Sequence, residues 1–188
     1  GGRNAGYRET EGYDFDVSYR FDLENWGAFT TQWNTTYTVR DENLSTNAPG
    51  IPNQNTSFAG SFRIRSNLNL GWELGDFGAS WTIRYYSAMK ESCLSAAAFP
   101  EECSDPDYRY PNIDGESIAA PLNVTGATAF NDVQFRWTAP WKATISVGAN
   151  NVFGREGPVM YTQPNANVSY YGGFDIGRFY YARYTQRF

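Results

Sequence analysis

The sequence predicts an all-β protein, an antiparallel transmembrane up-and-down β-barrel, and three observations carry that prediction. Polar and apolar residues alternate with a period of two in segment after segment. The joints between those segments alternate between short and long. Aromatic residues make up 18% of the 188 positions, with 14 Tyr and 13 Phe, while Leu is scarce and His is absent. A helical core rich in Leu and Ala does not have this composition, whereas strands do.

Each strand follows from its own alternation, because side chains point to opposite faces of a strand in turn. In 12–21, Tyr13, Phe15, Val17, Tyr19 and Phe21 oppose Asp14, Asp16, Ser18 and Arg20. In 26–39, Phe29, Trp33, Tyr37 and Val39 oppose Thr30, Gln32, Asn34, Thr36 and Thr38. In 61–74 the apolar set is Phe62, Ile64, Leu68, Leu70, Trp72 and Leu74, continued backward by Phe58, against Arg63, Arg65, Asn67, Asn69 and Glu73. Segment 77–86 sets Phe77, Trp81, Ile83 and Tyr85 against Ser80, Thr82 and Arg84. Segment 132–137 sets Val133, Phe135 and Trp137 against Asp132, Gln134 and Arg136. Segment 142–151 sets Ala143, Ile145, Val147 and Ala149 against Thr144, Ser146 and Asn150. The last segment, about 174–188, carries aromatics at both parities.

Short turns fall near 23–25, 75–76 and 139–141, and long connections at about 43–57, 92–128 and 152–173. Short periplasmic turns and longer extracellular loops are the plan of an outer-membrane barrel. On that plan the first strand descends from the outside and the last ends at the periplasmic rim. Several segments exceed the ~9–11 residues that cross a bilayer, so they are expected to project outward.

A soluble β-sandwich also alternates, with its apolar faces forming a core. Here the polar faces use short Asn, Thr, Ser and Arg where a solvated strand favours Lys and Glu. The apolar faces carry large aromatics near strand ends, as in the girdles at membrane interfaces. Bacterial single-chain barrels have even strand numbers, and open edges are costly in lipid. Seven strands are therefore expected to belong to a larger barrel, with 1–13 as the lead-in from an outer loop.

Other classes are disfavoured by composition. No run approaches the ~18 apolar residues of a membrane helix, and Gly1-Gly2-Arg3-Asn4 does not open a signal peptide. A net charge of -5 leaves no basic stripe for nucleic acid. Two thiols without His make a poor zinc site. A local disulfide between Cys93 and Cys103 in an oxidising compartment is expected instead.

Three stretches resemble one family. The segment VGANNVFGREGPV (147–159) is similar to the penultimate strand and following loop of TonB-dependent outer-membrane receptors, with Val152 and Gly154 departing from the usual Leu and Asp. NAGYRETEGYDFDVSYRF (4–21) resembles a long strand of that family, and GRFYYARYTQRF (177–188) its closing strand with a terminal Phe. The resemblance implies that 1–188 is the carboxy-terminal portion of the barrel, the last seven of 22 strands, with the plug and earlier strands elsewhere. It implies energised uptake of a scarce, bulky nutrient such as a siderophore, cobalamin or oligosaccharide, without catalysis and without a cofactor. The implied partners are the rest of the receptor, the TonB complex through the plug, outer-membrane lipid, and a surface lipoprotein or other subunits. A smaller porin-like or structural barrel and a lectin-like sandwich are the competing readings.

Without His, the usual general base of outer-membrane hydrolases is missing. Asp14 and Asp16 share one strand face, and we expect them to be lumen residues hydrogen-bonded to Arg20 and its neighbours. The five Asn-x-Ser/Thr matches at Asn34, Asn43, Asn55, Asn123 and Asn167 are expected by chance in so Asn- and Thr-rich a chain. The acidic loop with Glu101, Glu102, Asp105, Asp107, Asp114 and Glu116 has the oxygen ligands calcium wants but no EF-hand spacing. A solvated loop is the competing reading, and no metal is assigned. Loop aromatics are candidate ligand contacts, here Tyr108, Tyr110, Tyr161, Tyr170 and Tyr171. Tyr86, Lys90 and Asp132 are second candidates, facing the lumen near the outer ends of their strands. Tyr180, Tyr184 and Phe188 are expected to share the lipid-facing side of the terminal strand.

Overall fold

The computed structural model describes residues 6–45, 53–58, 61–93, 101, 103–112, 114–158 and 177–187. Among them the chain forms β1 (Gly6–Leu23), β2 (Gly27–Ser45), β3 (Asn53–Gln54), β4 (Ile64–Leu74), β5 (Phe77–Tyr86) and β6 (Met89–Ser92). These are followed by β7 (Arg109–Pro111), β8 (Ser117–Ala119), β9 (Leu122–Thr125), β10 (Thr128–Ala139), β11 (Ala143–Asn150) and β12 (Phe179–Gln186). Eight of these make one antiparallel sheet: seven run in the order β1-β2-β4-β5-β10-β11-β12, an up-and-down meander, and the two-residue β3 pairs with β2. Each predicted strand segment contains a strand of this sheet, and 174–176 and 188 of the last lie outside the described residues. The tight joints fall at 24–26, 75–76 and 140–142, all at one end.

Register carries the alternation across the sheet. One row runs Tyr19–Thr31–Leu70–Trp81–Val133–Ala149–Tyr180, and the next runs Phe21–Phe29–Trp72–Ala79–Phe135–Val147–Ala182. The opposite face carries Ser18–Gln32–Asn69–Thr82–Asp132 and Asp16–Asn34–Asn67–Arg84. A one-residue slip anywhere would mix the faces. The seven segments therefore agree on one register.

The predicted face breaks at two places. β4 begins at Ile64, and Phe62 is not on the outward stripe: it is buried and packs its ring 5.0 Å from that of Tyr86. In the β1–β2 ladder Glu11 pairs with Arg40 but Gly12 with Thr38, so Val39 is an extra residue in a bulge. A bulge reverses the facing of the residues beyond it. Above it Asp41, not Arg40, lies on the polar face.

Among the described residues β1 and β12 do not pair with each other, so the sheet is open. β1 is exposed along its whole length, and the apolar face is uncovered, with Phe15, Tyr19, Trp33, Trp81, Phe135 and Val147 all exposed. The larger buried side chains cluster at the loop end instead: Phe62, Tyr86, Met89, Leu122, Phe130 and the two cysteines. There β6 pairs with β9 and β7 with β8, both antiparallel. Phe58 bridges to Lys90 in parallel, and Asp105 to Leu122. The described residues of the long joint, with β6, thus fold into two small strand pairs outside the large sheet, here called the cap.

Candidate functional site

The polar face is built by short side chains that satisfy one another across strands. Thr36 Oγ1 donates to Asp14 at 2.6 Å, and the Asn34 amide donates to Asp16. Asn69 donates to Thr82 at 2.7 Å, and Tyr181 to Gln134 at 3.0 Å. Two ion pairs cross the face, Arg84–Asp132 at 3.1 Å and Arg136–Glu73 at 2.7 Å. Arg20 pairs with Asp22 at 3.7 Å and not with Asp14 or Asp16, which corrects the expected partner. It lies four to six residues along β1 from those carboxylates, whereas β2 sets Thr36 and Asn34 directly opposite them.

Glycine shapes this face where a neighbour must lie flat. A Cβ on Gly148 would meet the Tyr181 ring at 2.5 Å and the Val133 carbonyl oxygen at 2.7 Å. One on Gly78 would meet the Arg136 guanidinium at 2.9 Å. The ring and the guanidinium therefore cover bare backbone, as cross-strand aromatics do over sheet glycines.

Asp132 is where expected, on the polar face near the loop end. It takes both Arg84 nitrogens and also the backbone N–H of Asn151 at 2.7 Å, anchoring the turn after β11. Asn151 then holds Arg155 through its side chain at 2.8 Å in both directions. Tyr86 is on the same face but buried, tilted against Phe62 and edge-on to Phe130. It packs between the segment before β4 and β10.

Lys90 departs from its predicted place. It lies in β6, outside the large sheet, with Nζ 4.8 Å above the Phe58 ring. The chain leaves the sheet after Tyr86, so the lysine joins the cap to loop 53–58. Tyr108 is partly buried and its carbonyl accepts from Ala120, while Tyr110 is exposed on β7 opposite Ile118. Cys93 and Cys103 form the predicted disulfide, both buried. Tyr180 and Tyr184 lie on the apolar face, 67% and 60% exposed. Tyr161, Tyr170, Tyr171 and Phe188 lie outside the described residues. Among the described residues no three His, Cys, Asp or Glu side chains gather into a metal site.

One cluster had no sequence signal. Above the bulge, Arg8 Nε and Nη2 donate to the two Asp41 oxygens at 3.0 and 2.8 Å. Ser61 adds a third hydrogen bond at 3.0 Å, and Asp41 N–H donates to Thr56 Oγ1 at 2.8 Å. This lies four residues beyond Tyr37, the last β2 residue paired with β4, and so above the sheet's common band. The Arg8 hydrogen bond, helped by Ser61 and Asn55, holds the Asp41 carboxyl below the usual carboxylate range against the opposing effect of burial.

No protein-family model, curated protein or solved structure matches the chain.

Proposed function

We propose that this chain forms seven neighbouring strands in the barrel wall of a TonB-dependent outer-membrane receptor, which binds and imports a scarce, bulky nutrient without catalysing a reaction. The observation that carries the reading is the two-faced, uncovered sheet. Its polar face is internally hydrogen-bonded, as a lumen wall is, and its apolar face carries exposed Phe15, Tyr19, Trp33, Trp81, Phe135 and Val147. An exposed apolar surface of this extent in a soluble monomer would aggregate. In lipid it is at home, and its free edges call for further strands to close a barrel.

Two details fit lipid contact. From Phe15 to Leu23 is eight strand steps, about 27 Å along the chain and about 21 Å after a barrel's tilt, close to the ~25 Å apolar band. Three tryptophans of that region donate their indole N–H groups within the protein: Trp33 to Ser66 at 2.8 Å, Trp81 to Asn131 at 3.0 Å, Trp72 to the Trp26 carbonyl at 2.7 Å. No water is then needed to accept them. The resemblance of 4–21, 147–159 and 177–188 supplies the family.

Fractionation of cells making the native protein tests the reading. It should sediment with outer membranes, dissolve only in detergent and change gel mobility on heating. Ligand uptake should stop when the proton gradient is dissipated. Detergent-free monodisperse solubility would overturn the barrel, and uptake indifferent to the gradient would replace the receptor with a porin-like channel.

A further inference from the structure

We infer that the upper polar face holds a ligand seat for a neutral, hydroxyl-rich molecule, an oligosaccharide, between β1, β2 and β4. The inference rests on the receptor reading for the statement that this face lines the lumen. A cavity of about 360 Å³ opens there, walled by Asp14, Asp16, Asn34, Thr36, Arg65 and Asn67. It spans two strand spacings, about 10 Å, at the level of Phe15, where the outward apolar band ends.

The hydrogen-bonding capacity of this cavity is largely unused. Asp14 and Asp16 each accept one side-chain bond, from Thr36 and Asn34, and a carboxylate has about four acceptor sites. Across the cavity, the Arg65 guanidinium sits 5.9 Å from the Phe62 ring centre and 5.8 Å from that of Tyr86. Both rings are buried, and among the described residues no carboxylate pairs with the guanidinium. Asn67 adds a planar amide beside it. Acceptors on β1, donors on β4 and mixed groups on β2 therefore face one space.

Ligand classes can be ranked against that arrangement. An apolar ligand would strip water from these groups and return nothing, at about 1–3 kcal/mol for each group left unsatisfied. An anion would meet two carboxylates against one guanidinium. A polycation would meet the Arg65 guanidinium beside the two carboxylates. A sugar hydroxyl donates and accepts at once, and vicinal hydroxyls match the paired atoms of Asp, Asn and Arg. The lower cavity, of about 290 Å³, is arranged differently: its single carboxylate, Glu73, is neutralised by Arg136, and Gln134 accepts from Tyr181.

The test uses the native full-length protein in detergent, probed with an array of neutral plant, fungal and bacterial oligosaccharides, with hexagalacturonate as anion and spermidine as cation. Neutral oligosaccharides should bind, and the double variant Arg65→Met, Asn67→Ala should weaken binding at least tenfold. Glu73→Gln in the lower cavity should leave it within twofold. Binding confined to hexagalacturonate or spermidine, no neutral binding, or neutral binding unchanged by the double variant would each overturn the seat. Heat-dependent gel mobility of the same sample reports separately on the barrel. Its loss sinks the receptor reading, while a heat-modifiable barrel that ignores neutral glycans sinks only the seat.

Discussion

Arg8 and Asp41, 33 positions apart, are joined by two hydrogen bonds that pin the outer end of β1 to β2 and, through Ser61 and Thr56, to the following loop. The contact depends on the Val39 bulge. Without it Asp41 would point to the opposite face. The same bulge brings Arg40 to Glu9 on the outward side.

The first prediction concerns acid. The Asp41 carboxyl is depressed when folded, so it binds protons less readily than in the unfolded chain. The stabilisation it provides is complete above the ordinary carboxylate pKa of about 4 and fades as pH falls below that through the lowered value. Protection factors of the amides in 53–58, taken against the intrinsic exchange rate at each pH, should fall over that range. In Asp41→Asn they should be low already at pH 7 and change little with acid. Unaltered protection in Asp41→Asn would show that the pair does not hold the loop.

A second prediction separates the two turn glycines. Gly27 has φ +88°, and a Cβ there would lie 2.1 Å from the Glu73 carbonyl oxygen. Gly75 has φ +55° with nothing within 4 Å. Gly75→Ala should cost about 1–2 kcal/mol, the left-handed penalty alone. Gly27→Ala must also move backbone and should exceed it by at least about 1 kcal/mol. Urea unfolding of the protein reconstituted in lipid vesicles reads both.

The two faces should respond oppositely to charge. Leu70→Arg places a cation in the middle of the apolar face and should cost about 2–4 kcal/mol, enough to depress assembly into membranes. Asn69→Arg, one residue away on the polar face, should assemble within about 1 kcal/mol of the parent. Equal assembly of both variants would exclude lipid contact at Leu70.

The fourth prediction concerns the cap. Cys93 and Cys103 close a short loop, with a sequence separation of 10, that begins directly after β6. Replacing both with Ala should destabilise the cap by about 2–3 kcal/mol. Limited proteolysis should then cut within 93–127 while the large sheet stays protected. Cleavage in the sheet itself would mean that cap and sheet unfold together.

How far the sequence could be read depends on the physics of each region. In 77–86 and 142–151 the two faces meet opposite surroundings, and period two is plain. The cap strands hid because their faces are not so divided. In β6, Met89 and Glu91 are both buried and point the same way, so a charge occupies an inward position and no alternation appears. The Arg8–Asp41 cluster hid for another reason. Its facing depends on one unpaired residue, Val39, whose bulge is a property of the β1–β2 pairing.

By itself the sequence determined the seven strands, the division of each into polar and apolar faces, the tight joints at one end and the cysteine pair. All of these are encoded locally, in spacings of two residues and in turn composition, so no partner strand is needed to read them. Tertiary structure alone decided the register that aligns seven faces, the strand pairs β6–β9 and β7–β8 of the cap, and the cavity between β1, β2 and β4. Those depend on which residues pair across strands tens of positions apart, and no local pattern carries that.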